Sequence, residues 1–301
     1  MEASFNPRSS VDEPTFAASM ISGMTQVAHL SDLHLLEDGH EARRGEARRR
    51  LKYVSFGRPY DPRARRQRVA GALAAAKRSG ADHLVLTGDL TEDGIEAQFT
   101  ILAELLDASG WAPQRVTLIP GNHDAYAGGG AWALALSGPL AAYRATSTLG
   151  APVHLAGMMI LPLSTSLAQH YTRSSGGLHA GALAGVEEAA AVSRRSGEAL
   201  VLAMHHPPRR NPLPPLQWID GFRDHAALGT LLGAHDHVHV LHGHTHMATD
   251  HAVRPGAAPR IFATQAVVDG AAPLRLYRAR HGRLWPEGRV EVAGLAVVPA
   301  T

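Results

Sequence analysis

Short apolar runs bounded by turn residues punctuate this chain: TQVAHL from Thr25, DHLVLT from Asp82, RVTLIP from Arg115, ALVLAM from Ala199 and HVHVL from His237. Runs of this length, rich in Val, Ile and Leu, predict buried strands rather than helices. Between them the period changes. ARRQRVAGALAAAKRSG, from Ala64, places Val69, Leu73 and Ala76 on one face and stops at Gly80, and IEAQFTILAELLDASG, from Ile95, stops at Gly110; both predict helices with a glycine end signal. Strands alternating with helices predict parallel pairing in an open α/β sheet covered on both faces. Two further β-rich stretches, Val153 to Ser166 and Arg260 to the end, predict strands that extend or flank it.

Each of the five runs leads into a polar segment of similar kind: SDLH, GDL, PGNHD, HHPP and HGHTH. Ligands of an open α/β sheet bind beyond the carboxyl ends of its strands. Asp32, His34, Asp89, Asn122, His123, His205, His244 and His246 are therefore expected to converge on one rim. Two carboxylates, one amide and five imidazoles exceed what a single catalytic metal with an open position takes. Two metals roughly 3.5–4 Å apart fit the set better. Each of these residues alone is more readily a hydrogen-bonded strand-end residue; their joint occurrence reverses that balance.

Taken together, Asp32-Leu33-His34, Gly88-Asp89, Gly121-Asn122-His123-Asp124, His205 and Gly243-His244-Thr245-His246 resemble the calcineurin-like metallophosphoesterases, with all five parts in order between Thr25 and Met247. The resemblance implies a four-layer α/β/β/α sandwich of mixed sheets flanked by helices. It implies that Asp32, His34 and His246 bind one metal and Asn122, His205 and His244 the other, with Asp89 bridging. It also implies hydroxide attack on phosphorus, with His123 facing the leaving group. His205 is favoured over His206 as the ligand because it stands two residues before Pro207, as the family's histidine does. His206 and Arg209 are candidate substrate contacts, and Asp124 is a candidate for orienting a neighbouring imidazole. A bacterial phosphodiesterase of cyclic nucleotides or glycerophosphodiesters is the implied activity; a UDP-diacylglucosamine pyrophosphatase is the alternative, and a non-catalytic scaffold of the same fold is a third. An intact ligand set argues against the scaffold.

Composition narrows this reading. The 301 residues contain no cysteine, which excludes thiolate sites and disulfides and leaves Mn, Fe or Zn on N and O ligands. A net charge of +2 argues weakly for nucleic acid or membrane partners. Residues 1–23 read as a soluble, mobile tail ahead of a single catalytic domain, 24–301, and lack the charge pattern of a signal peptide. Every later apolar run is too short to span a bilayer, so a cytoplasmic protein is expected. A basic insertion, 37–68, holds EARRGEARRRLKYVSFGRPYDPRARRQR from Glu41. It is expected to be either a solvated helical excursion or a cap whose guanidinium groups face a phosphoester, small or lipid-linked, with peripheral membrane contact in the second case. It is too short for a nuclease's basic stripe. His235, His237 and His239 are expected to form a polar strand entrance.

Overall fold

The computed structural model describes residues 25–128, 130–291 and the backbone of 297–298. The proposed tail, 1–23, lies outside the described residues. Strand β1 (Gln26–Leu30) is followed by helices α1 (Gly45–Val54) and α2 (Pro62–Arg78), then by β2 (His83–Thr87), α3 (Glu96–Ala108) and β3 (Val116–Ile119). Helix α2 starts where the chemistry of its first turn demands: Asp61 accepts a hydrogen bond from Ala64 N at 2.9 Å, and Pro62 occupies the first helical position. Two short helices, α4 (Ala131–Ser137) and α5 (Arg144–Ser147), lead to β4 (Val153–Leu155) and β5 (Met158–Pro162). The second half runs α6 (Ala182–Ser196), β6 (Ala199–Ala203), α7 (Pro214–Asp220), α8 (His225–Ala234), β7 (Val238–His242), β8 (Thr249–His251) and β9 (Ile261–Ala263). A closing β10 (Leu274–Arg280), β11 (Arg283–Val290) and β12 (Val297–Val298) return to the first sheet.

The strands form two mixed sheets, in the orders β12-β11-β10-β1-β2-β3 and β4-β5-β6-β7-β9-β8. Strands β1, β2 and β3 are parallel, as are β5, β6, β7 and β9, while β10 runs antiparallel to β1. Alternation along the strands assigns each side chain to a layer. Leu84 and Leu86 of β2 pack with Leu73, Phe99 and Leu102 of the helices outside the first sheet. Leu200 and Leu202 of β6 meet Val186 and Leu228 outside the second. The remaining set, including Val85, Ile119, Ile160, Val201, Leu241 and Phe262, fills the space between the sheets. This is the expected four-layer sandwich. Truncating a fully buried leucine such as Leu86 costs about 2–5 kcal/mol at sites of this kind, so the layers resist small rearrangement.

The basic insertion divides its arginines between two settings: Arg44, Arg48 and Arg49 of the α1 region are exposed, Arg49 pairing with Glu46 along the helix as expected, while four others turn inward. Arg43 grips Asp93 with two bonds, of 2.7 and 3.1 Å, and Arg50 reaches the same carboxylate at 2.9 Å. Arg58 and Arg65 reach Glu92 at 2.9 and 2.6 Å. Glu92 and Asp93 are fully buried, and a buried carboxylate must be paired to remain charged. Four arginines of the segment therefore neutralise the loop after β2 instead of facing solvent or substrate. His237 and His239 also depart from the polar entrance: both are buried, and His239 Nε2 accepts from Leu284 N at 3.1 Å.

Candidate metal centre

The loops after β1, β2, β3, β6 and β7 meet at the carboxyl edge of the two sheets. Among the described residues, six non-glycines have left-handed φ, and five are sequence-designated: Asp32 (56°), His34 (48°), Asp89 (47°), His244 (71°) and His246 (57°). Such a conformation costs of order 1–3 kcal/mol for a residue with a Cβ and persists only where its surroundings impose it. Here they do. Asp32 N donates to Gly88 O at 3.0 Å and His34 N to Asp89 O at 2.9 Å, which zips the first loop to the second. The Asp32 carboxylate accepts from His244 N at 3.1 and 3.2 Å, and Asp89 Oδ1 accepts from His123 N at 2.9 Å, drawing in the fifth and third. Two glycines permit the approach. A Cβ at Gly121 would collide with Asp89, and one at Gly243 with Ser31 and Asp32.

The side chains gather as two adjoining groups. In the first, His34 Nε2 lies 3.3 Å from His246 Nε2, and His246 Nε2 lies 3.6 Å from Asp32 Oδ1. In the second, His205 Nε2 lies 3.1 Å from Asn122 Oδ1 and 3.4 Å from Asp89 Oδ2. Asp89 Oδ2 also stands 3.7 Å from His34 Nε2, so one carboxylate faces both groups. The His244 ring packs against His205 with centroids 5.1 Å apart. All eight designated residues are brought together.

Whether this donor set suits cations is decided by which atoms point inward. His205 Nδ1 donates to Thr87 O at 2.8 Å, which leaves the Nε2 lone pair of the neutral ring facing Asn122 Oδ1 and Asp89 Oδ2. The amide cannot turn to help, because Asn122 Nδ2 donates to Tyr126 Oη at 2.9 Å. Three acceptors thus converge on one point. Burial opposes charge on His205, yet the Asp89 carboxylate outweighs it and pushes the pKa up to about 9; the point draws in positive charge. His246 repeats the pattern: Nδ1 is held by Asp269 Oδ2 at 3.1 Å and Nε2 faces inward. His244 is reversed, with Nε2 held by Asp220 Oδ1 at 2.9 Å. Glu92 Oε2 lies 3.2 Å from His34 Nδ1, an ionic neighbour without hydrogen-bond alignment. Imidazoles whose outer nitrogen is held by a carboxylate or carbonyl are set up as neutral metal ligands. The donors fit two cations of the N/O-preferring kind.

Several of these supporting groups escape a motif reading. Asp220 and Asp269 stand in no motif, and Tyr126 carries no signal of its own. Glu92 was within sight, three residues beyond Asp89 in GDLTED.

Three designated residues need correction or qualification. Asp124 orients no imidazole: its buried carboxylate accepts from Leu90 N, Thr91 N, Thr91 Oγ1 and Gly121 N, stapling the second loop to the third. Burial and the nearby Asp89 charge push its pKa up to about 7. His206 is buried with both ring nitrogens engaged, by Thr165 Oγ1 at 2.8 Å and Ser174 O at 2.7 Å, which leaves neither for a substrate. Arg209 is exposed and lines a cavity of about 300 Å³ shared with His244, Asp220 and His251.

Comparison with known proteins agrees with this geometry. Residues 25–248 match the family described as calcineurin-like phosphoesterase. A cAMP/cGMP dual specificity phosphodiesterase of Mycobacterium tuberculosis is 30% identical over 172 residues, which cover 56% of this chain and 50% of that protein, so the match spans about half of the relative's length. Among solved structures, a dimetal phosphatase from Danio rerio superposes with a TM-score of 0.65 at 14% identity, covering 92% of this chain and 99% of its own. A purple acid phosphatase from yellow lupin (Lupinus luteus) does so with a TM-score of 0.58 at 11% identity, covering 92% and 53%. Those likenesses concern the fold. The family match spans most of the chain, including all five strand-end loops, and the chain belongs to the calcineurin-like phosphoesterase family.

Proposed function

We propose that the chain is a metal-dependent hydrolase of phosphoric esters that cleaves a phosphodiester. The observation that carries this reading is the convergence of His205 Nε2, Asn122 Oδ1 and Asp89 Oδ2 on one point, beside the second group made by Asp32, His34 and His246. In this reading Asp32, His34 and His246 hold one cation, Asn122, His205 and His244 hold the other, and Asp89 serves both. When bound, such a pair supplies Lewis acidity that brings a water's pKa toward neutrality and offsets charge developing on the phosphoryl oxygens.

The chain's own residues supply positioning and proton transfer. His123 Nδ1 donates to Glu92 O at 2.6 Å, which holds the ring upright and turns Nε2 toward the cleft, 3.8 Å from Asp89 Oδ2. A proton held on Nε2 is placed to pass to the departing alkoxide oxygen. Tyr126 and Asp269 hold their ligands in one orientation, so no reorganisation is needed as charge builds. A diester is preferred over other esters because the aligned mycobacterial relative carries a phosphodiesterase name.

The test is a turnover assay of the purified chain loaded with Mn, Zn or Fe. Hydrolysis of bis(p-nitrophenyl) phosphate, and of cAMP or cGMP, is expected to exceed that of p-nitrophenyl phosphate and to vanish on chelation. Full metal binding with no turnover of any phosphoester would instead favour the scaffold reading.

A further inference from the structure

Large apolar side chains exposed to solvent recur on two elements that the loop 171–173 brings together. Of the eleven among the described residues, six lie on two elements: Tyr53 and Phe56 at the end of α1, and Leu213, Leu216, Trp218 and Ile219 on or just before α7. Phe56 is 91% exposed and Trp218 62%. The loop 171–173 joins the two elements into an arc. The Tyr171 ring sits 5.5 Å from Tyr53, and the Arg173 guanidinium lies 4.2 Å from the Trp218 ring centre. The arc borders the metal centre at its joining loop and at α7, because Arg173 O accepts from Tyr126 Oη at 3.1 Å and Asp220, the last residue of α7, holds His244. Between Tyr53, Phe56 and Tyr171 it encloses an open cavity of about 710 Å³.

The charge left unpaired along the arc is positive. Arg48 and Lys52 of α1 are exposed and have no ion-pair partner among the described residues, and Arg209 and Arg210, ahead of α7, are exposed as well. The acidic residues are engaged: Glu46 pairs with Arg49 at 2.7 Å, and Asp220 with His244. Exposed apolar side chains gathered beside a functional cleft mark a binding surface. A second copy of the chain would bring Arg48 and Lys52 against their own kind. A surface that is anionic outside and apolar beneath satisfies both halves of the arc, with Trp218 and the tyrosines at headgroup level. We propose that the arc formed by α1, the 171–173 loop and α7 seats the chain on an anionic bilayer, with the cleft turned toward the headgroups. This placement is independent of the reaction assigned above.

The test is co-sedimentation of the full chain with vesicles of phosphatidylcholine alone and of an equal mixture of phosphatidylcholine and phosphatidylglycerol. Binding is expected for the mixture only and should weaken as salt rises. Two basic residues beside an anionic leaflet are together worth roughly thirtyfold in affinity, so R48Q/K52Q should lose about that much. Phe56→Asp and Trp218→Asp should each abolish binding while hydrolysis of a small soluble diester and the thermal midpoint stay unchanged. Failure of the wild type to bind the mixture, or binding indifferent to both aspartates, overturns the proposal. A dimer by light scattering that these aspartates convert to monomer also overturns it, by showing that a second copy covers the face.

Discussion

The imidazole of His205 donates through Nδ1 to the main-chain oxygen of Thr87 at 2.8 Å, and this bond selects Nε2 as the nitrogen that looks into the site. A cation arriving there must displace the proton that Asp89 favours on His205, whose pKa lies at about 9 despite the opposing effect of burial. Metal uptake at pH 7 should therefore release a proton, and apparent affinity should rise about tenfold per pH unit before levelling near pH 9. Calorimetry in buffers of different ionisation enthalpy measures this; no proton release at pH 7 would refute it. The folded pKa is raised above the unfolded value of 6.5, so the stabilisation of the metal-free chain is complete below that value and is lost as pH rises through 9. Its thermal midpoint should fall across that window, and the metal-loaded chain's should not.

Asp89 faces both donor groups. Asp89→Ala should lower metal content by at least one equivalent and remove nearly all hydrolysis. Elemental analysis of the purified variant is decisive, since full occupancy would mean that the carboxylate is not shared.

His123 takes no part in either donor group, so His123→Ala should keep its metals while turnover falls on the order of 10²–10⁴-fold. The deficit should shrink for esters whose leaving group is very acidic. Equal deficits across a leaving-group series would remove the proton-transfer role.

Tyr126 acts through Asn122. Tyr126→Phe deletes the oxygen that fixes the amide and should weaken metal affinity by about 10–100-fold, the usual effect of removing a group that orients a ligand. Activity should return at high metal concentration. A turnover loss that excess metal does not rescue would place Tyr126 in the chemistry itself.

Buried and exposed ion pairs of the basic segment should differ sharply in worth. Removing the buried Glu92 strands Arg58 and Arg65, so Glu92→Ala should cost about 3–5 kcal/mol. Arg49, exposed and paired with Glu46, should change the midpoint little on replacement by alanine, because solvent screens the pair. Urea denaturation midpoints make the comparison; similar losses would mean that burial of Glu92 does not govern the segment.

The sequence by itself determined the strands that carry the site and the residues at their ends. Val85 and Leu86 announce a buried strand by their immediate neighbours, and Asp89 stays at the end of that strand wherever the strand goes, because backbone geometry and periodicity are local properties. The same locality explains why the glycines of the G-N-H and G-H-x-H segments were legible as part of a pattern, although the collisions they avoid at Gly121 and Gly243 were not.

Only the tertiary structure decided what stands behind those residues. Asp269 holds His246 from 23 positions away and Asp220 holds His244 from before the strand, pairings that depend on which loops the two sheets bring to one edge. The arginines of 37–68 read identically in sequence whether they face solvent or a buried carboxylate; packing of α1 and α2 over Glu92 and Asp93 made the choice. His206 likewise looks as free as His205 until Thr165 and Ser174 close on both its nitrogens. The physical reason is common to all three: a side chain's type is written in the chain, but its partner is set by long-range packing, where burial makes an unpaired charge or hydrogen-bonding group too costly to leave alone.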